Sequence, residues 1–224
     1  MAKIKVFNND TNKMETHFRG EGEPMPYNKG GTLTVSGFRG SSQSDVLWTE
    51  KRAMQAWNNF RARYRRPIFV GFAFRRPTEG RHSPQSQHYA GLAFDVGQNL
   101  DNAQRAQLRD LAISSGIWSF VDPAWRTPTW VHFDARRGPP ACDAGYPVQR
   151  LGSRGGYVCA MQDGLISLGF STGGLDGVFG SMTNDAVVAF QRSRGLVPDG
   201  IVGCLTWTAL MSTVVPRRGA ENDT

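Results

Sequence analysis

The chain has 224 residues, of which 39% are hydrophobic, and 26 lysines and arginines stand against 19 aspartates and glutamates for a formal net charge of +7. That hydrophobic share can bury a core and excludes wholesale disorder, while the length suits one large domain or two small ones. A basic balance suits nucleic acid, an anionic surface or an acidic polymer, but no helix-turn-helix, RNA-binding or zinc-finger pattern accompanies it, so no nucleic-acid partner is expected.

The start, Met1-Ala2-Lys3-Ile4-Lys5, lacks the apolar core of a secretory leader. No apolar run of about 18 residues follows. The expectation is synthesis in the cytoplasm without integral membrane association. Residues 1–40 are rich in Gly, Asn and Pro, with short strands expected at Ile4–Phe7 and Thr32–Val35, and His17 reads as a surface residue. From Ser44 to Tyr64, Leu47, Met54, Trp57, Phe60 and Tyr64 recur at helical steps, which predicts an amphipathic helix ended by Pro67. Ile68 to Phe74 reads as a buried strand, and Pro77 to Gln85 as a loop with His82 on its surface. Ala93 to Val96 has the look of a further strand. Asp101 and Gln104 form a capping box for a helix over Asn102 to Ser115, stopped by Gly116. Ile117 to Val121 and Trp130 to Phe133 read as strands on either side of a turn.

The chemistry concentrates in Ser86-Gln87-His88-Tyr89-Ala90-Gly91-Leu92-Ala93-Phe94-Asp95 and Trp130-Val131-His132-Phe133-Asp134. Zinc takes imidazole nitrogens and carboxylate oxygens, and a catalytic site keeps three protein ligands with one open position. His88, Asp95 and His132 supply that set. Strand alternation puts Asp134 on the same face as His132.

Ser-x-His-x-x-Gly-x-Ala-x-Asp followed by Trp-x-His-x-Asp resembles the zinc D-alanyl-D-alanine carboxypeptidases and related murein endopeptidases, over roughly residues 65–137. The resemblance implies zinc on His88, Asp95 and His132. It also implies an arginine, here Arg75, that binds a substrate carboxylate or carbonyl and steadies an oxyanion, for which a planar guanidinium is well shaped. Ser86 is expected to position the loop or a substrate carbonyl. Most members of the family carry a Glu or Asp three residues before the last zinc histidine, or a His two before it, to take a proton. Thr129 and Trp130 stand there instead. The expected proton acceptor is Asp134, which could equally orient His132, and Asp122 is the other candidate.

Arg136 to Gly145 is rich in Pro and Gly and reads as the junction with a second domain. Asp-Gly-x-x-Gly-x-x-Thr then occurs twice, at Asp176 to Thr183 and Asp199 to Thr206, each a tight turn whose threonine is expected to cap a helix. Helices are expected over about 156–168, 183–194 and 205–211. With Ala186-Val187-Val188-Ala189-Phe190-Gln191, this resembles the peptidoglycan-binding domain appended to many wall hydrolases. Cys142, Cys159 and Cys204 are an odd number without C-x-x-C spacing, and are expected as small buried residues of a protein made in a reducing compartment.

The architecture expected is therefore α+β: a zinc peptidase domain with a central antiparallel sheet over 1–138, a linker at 139–146, a three-helix peptidoglycan-binding domain at 147–211 and a flexible tail at 212–224. The expected function is a monomeric, zinc-dependent hydrolase of peptidoglycan stem peptides acting on the cell wall. Alternatives are a phage-type endolysin released after lysis that cuts an L-/D-peptide bond, and a wall-binding protein without catalysis.

Overall fold

The computed structural model describes residues 1–80, 82–143 and 145–216. Its first strand, β1 (Ala2–Asn8), turns inward every second residue, burying Ala2, Ile4 and Val6. It pairs antiparallel with β2 (Lys13–Arg19), from Ala2 opposite Arg19 to Asn8 opposite Lys13. The sequence hides β2 because this outer strand is half exposed and carries Lys13, Glu15, His17 and Arg19 among few apolar residues.

Thr32 to Val35 is not a strand. Thr34 instead caps α1 (Val35–Arg39), its hydroxyl accepting from the amide of Gly37 at 3.1 Å. The single helix expected from Ser44 to Tyr64 also divides. Val46–Glu50 forms β3, parallel to β1, and α2 begins only at Lys51 and runs to Tyr64. Leu47 and Trp48 are therefore core residues of a strand, where β-branched and aromatic side chains pack well. Met54, Trp57 and Phe60 do form the buried stripe of α2, which ends at Arg65 in a left-handed conformation.

The second sheet is antiparallel throughout, in the order β4 (Val70–Phe72), β5 (Ala93–Val96), β7 (Val131–Asp134), β6 (Phe120–Val121). On one face, Phe94 and Phe133 stack with Trp57, Phe60 and Trp118, with ring centroids 4.2 to 5.8 Å apart among the closest pairs. The other face is polar. Helix α3 (Asn102–Ser115) has the expected capping box, Asp101 accepting from the Gln104 amide at 2.8 Å, and stops at Gly116 with φ 62°.

Three helices follow: α4 (Gly156–Ser167), α5 (Ser181–Ser193) and α6 (Cys204–Val214). The two repeated turns close around buried glutamines. Gln162 donates to Asp176 Oδ1, the Val178 carbonyl and Thr183 Oγ1, and accepts from the amides of Asp176 and Gly177. Gln191 donates to Asp199 Oδ1, the Ile201 carbonyl and Thr206 Oγ1, and accepts from the Gly200 amide. Thr183 and Thr206 thus lie inside their helices and serve the glutamines. The N-caps are Gly180 and Gly203.

The two halves share one hydrophobic core. Tyr146, at the end of the stretch expected to be a linker, is fully buried between Tyr157 and Trp207, each 5.0 Å away by ring centroid. Buried Glu50, at the end of β3, accepts from Arg137 Nε at 3.1 Å and from the Gly156 amide at 3.3 Å. Arg76 binds buried Asp163 of α4 at 2.6 Å. Cys142 and Cys204 form a disulfide, so two of the three cysteines expected as thiols are joined, and Cys159 remains as a buried free thiol. Of the expected tail, residues 212–214 complete α6 and Val214 and Val215 are buried, while 217–224 lie outside the described residues.

Candidate metal centre

The pairing of β5 with β7 sets Asp95 opposite His132 and Ala93 opposite Asp134. Because side chains alternate, Asp95, His132 and Asp134 share the polar face while Phe94 and Phe133 take the core. His88 arrives from the loop before β5, which folds through successive turns: Tyr89, Ala90 and Gly91 donate to the carbonyls of Ser86, Gln87 and His88. β3 holds this loop from behind, with Trp48 Nε1 donating to the Tyr89 carbonyl at 2.8 Å and Thr49 Oγ1 to that of Gly91 at 2.7 Å. At Gly91, φ is +69° and a Cβ would lie 2.0 Å from the Trp48 carbonyl oxygen, so only glycine fits.

His88 Nδ1 lies 3.2 Å from the carbonyl oxygen of Ala73, which can only accept, so Nδ1 carries the proton. Its Nε2 is left as a lone pair 3.2 Å from Asp95 Oδ1, buried and without an aligned hydrogen bond. His132 Nδ1 sits 2.7 Å from the same oxygen, and its Nε2 lies 3.3 Å from Asp134 Oδ2. Burial opposes ionisation of Asp95, but the two imidazoles beside it, His88 and His132, outweigh it and hold the carboxyl well below the usual range. Burial likewise disfavours a charged His132, yet its bonds to Asp134 and Asp95 raise it to about 9.

Asp134 is fully buried. Arg136 occupies it with both Nε, at 2.8 Å to Oδ1, and Nη2, at 2.6 Å to Oδ2. With the Arg136 amide also on Oδ1 and His132 on Oδ2, its oxygens face partners and not open space.

A cavity of about 320 Å³ opens above these groups, lined among others by His82, His88, Asp95, Asp122, Arg126 and His132. Asp122 reaches it because its amide bonds the His132 carbonyl at 3.0 Å, and its buried Oδ1 makes no hydrogen bond, with Arg126 Nη1 3.6 Å away. Arg109 of α3 fixes that wall from beneath, donating to the carbonyls of Asp122, Thr127 and Trp130. Ser86 lines the cavity too, its hydroxyl 3.4 Å from the His88 amide and its carbonyl accepting from Tyr146 at 2.5 Å.

Two expected positions differ. Arg75 does not line the cavity: it is buried, donates to Ser41 Oγ at 2.7 Å and packs on the Phe72 ring, because the chain turns away after β4. Its amide still bonds the His88 carbonyl at 3.4 Å. His82, expected on the loop surface, faces inward, its ring stacked on His88 at 4.4 Å. Burial and the neighbouring His88 lower it to about 3. Its Nε2 is buried without a hydrogen-bond partner, and one ligand atom each of His82, His88 and Asp95 lie within 4.8 Å of one another. The signal sequence reasoning passed over is the third histidine six residues before His88.

Residues 154–210 match the family described as "Putative peptidoglycan binding domain". A peptidoglycan-binding domain is present. Over 56 residues the chain is 45% identical to the N-acetylmuramoyl-L-alanine amidase CwlM of Mycobacterium tuberculosis, covering 25% of this chain and 14% of that protein. Over 65 residues it is 45% identical to a Kitasatospora aureofaciens protein named for its place in the bpoA1 3' region, covering 29% of this chain and 55% of that one. Among solved structures, a peptidoglycan-binding protein from Clostridioides difficile is 44% identical, with a TM-score of 0.30, over 30% of this chain and 42% of the other. A Burkholderia AP3 phage endolysin is 44% identical, with a TM-score of 0.29, over 34% of this chain and 27% of the other. The chain thus spans a small part of the amidase and about half of the second relative. Among the described residues, no helix is long and apolar enough to cross a membrane.

Proposed function

We propose that the chain is a zinc-dependent peptidase of peptidoglycan stem peptides, held on the wall by its peptidoglycan-binding domain. The observation that carries the zinc reading is the donor set of the polar face. A buried imidazole with its Nδ1 proton committed to a carbonyl offers a lone pair at Nε2, and leaving such an atom unpaired costs about 1–3 kcal/mol. It faces the Asp95 carboxylate, with a second imidazole on the same oxygen. Zinc takes imidazole nitrogens and carboxylates and would displace the proton that Asp95 and Asp134 favour on His132, with Asp134 on His132 Nε2 then the outer carboxylate that orients a metal-binding histidine.

His88 Nε2, Asp95 and His132 Nδ1 would hold the ion, which supplies a Lewis acid for the scissile carbonyl and an acidified water. In this reading Asp134 keeps His132 in place, and its saturation by Arg136 argues against the proton-accepting role. Asp122, which lines the cavity with an Oδ1 that makes no hydrogen bond and an ion pair to Arg126 at 3.6 Å, takes the proton. Arg126, which lines the same cavity, takes over from Arg75 the pairing with a substrate carboxylate or carbonyl. Ser86 shapes the rim. The Cys142–Cys204 disulfide supports work outside a reducing cytosol, where the wall is.

The test is mass spectrometry of muropeptides incubated with the zinc-loaded protein. Loss of a terminal D-alanine marks a carboxypeptidase, and split stems or cross-links mark an endopeptidase. Intact muropeptides at every concentration, with the protein still sedimenting with wall, would leave a binding protein and refute the enzyme.

A further inference from the structure

We propose that His82 is itself a ligand of the metal, so that the resting site is closed by four protein side chains, His82, His88, Asp95 and His132. This rests on the zinc reading above and adds a residue to it. Three observations bear on it. His82 Nε2 is buried and unpartnered, as is His88 Nε2. The donor atoms of His82, His88 and Asp95 fall within 4.8 Å of one another, close to the roughly 3.4 Å that separates ligands around a tetrahedral zinc at ~2.0–2.1 Å, and His132 Nδ1 lies 2.7 Å from the same Asp95.

The placement of His82 is also built. One buried phenol, Tyr89, holds both of its backbone groups, accepting from the His82 amide at 3.1 Å and donating to its carbonyl at 3.0 Å. Tyr89 directly follows His88, so one turn of chain sets both imidazoles. Phe72 closes the outer side of His82 edge-on at 5.6 Å. A ring so fixed, with a buried nitrogen that makes no hydrogen bond beside a carboxylate and another imidazole, is placed as a ligand; a ring needed only for packing would cost less as an apolar side chain.

Four protein ligands are the mark of a closed site, and three with an open position the mark of a catalytic one.

The experiment is cobalt(II) titration of the full-length protein, read by visible absorption and competition with a chelator, for wild type, His82→Ala, His82→Gln and His17→Ala, with circular dichroism to verify folding. The expected result is that both His82 variants bind cobalt at least about 100-fold more weakly, beyond the ~10- to 100-fold range of outer partners, with a spectrum altered by loss of a nitrogen ligand, while His17→Ala matches wild type. Unchanged affinity and spectrum in folded His82 variants would overturn the proposal and leave zinc on the other three intact. A wild type that binds no cobalt or zinc would remove the metal reading itself, and this inference with it.

Discussion

The peptidoglycan-binding domain, at its two buried glutamines, and the polar face of the β5–β7 sheet both bury polar side chains, and they treat them in opposite ways. Around Gln162 and Gln191 each amide is matched by carbonyls, hydroxyls and backbone amides of its own turn. Around His88 the fold leaves Nε2 of His82, Nε2 of His88 and an oxygen of Asp122 without hydrogen bonds, the last two meeting charged neighbours, Asp95 and Arg126. A saturated buried network specifies shape, whereas a buried group left wanting costs stability that nothing inside the chain repays.

That contrast can be broken in four ways. The largest effect is expected from cutting the chain at residue 140, which removes Tyr146 and Tyr157 from the common core and strips Glu50 of the Gly156 amide. The fragment should lose its cooperative thermal transition by near-ultraviolet circular dichroism. Melting within about 5 °C of the full chain would show that the halves are independent after all.

Next comes the disulfide. Replacing Cys142 and Cys204 by serine opens a loop 62 residues long and should cost about 4 kcal/mol on the chain-entropy account, measured by urea unfolding. A loss below about 1 kcal/mol would mean that packing around Tyr146 already fixes this segment.

Third, Gln162→Ala and Gln191→Ala should each cost about 2–4 kcal/mol, since several buried groups lose partners at ~1–3 kcal/mol apiece. His82→Gln should change the stability of the metal-free protein by less than about 1 kcal/mol, because His82 Nε2 makes no hydrogen bond that the change could remove. Equal costs for glutamine and histidine would erase the distinction.

The smallest effect sharpens the comparison inside the site. Asp134→Asn should weaken zinc binding ~10- to 100-fold, with turnover recovering in excess zinc, as an orienting carboxylate predicts. Turnover that stays ~100-fold low at saturating zinc would restore Asp134 as the proton acceptor and displace Asp122.

Much of the candidate site was legible because strand register is local arithmetic. His-x-Asp places His132 and Asp134 on one face, as the register of β5 with β7 shows. His82 was not legible. Its inward turn depends on the Tyr89 hydroxyl, and the rim beside it on Gln85 bonded to the Tyr146 amide, contacts that spacing does not encode. Arg75 was misplaced for a similar reason, since its partner Ser41 lies 34 residues upstream. In the fold, the three C-terminal helices announced themselves through the doubled turn. β3 did not, because Leu47 falls by coincidence on the helical period of α2, and pairing with β1 overrides that pattern.

The seam between Gly156 and Ala90 sets a length scale. A Cβ at Gly156 would lie 2.1 Å from the Ala90 carbonyl oxygen, so the first turn of α4 sits directly on the loop that carries His88. A hydrolase whose wall-binding module hangs on a tether samples every bond within the tether's reach, at an effective concentration set by its length. Here there is no tether to sample with. On the proposed function the protein acts as a caliper, cutting at one fixed offset from where it grips, and its products should carry that spacing as a narrow size distribution.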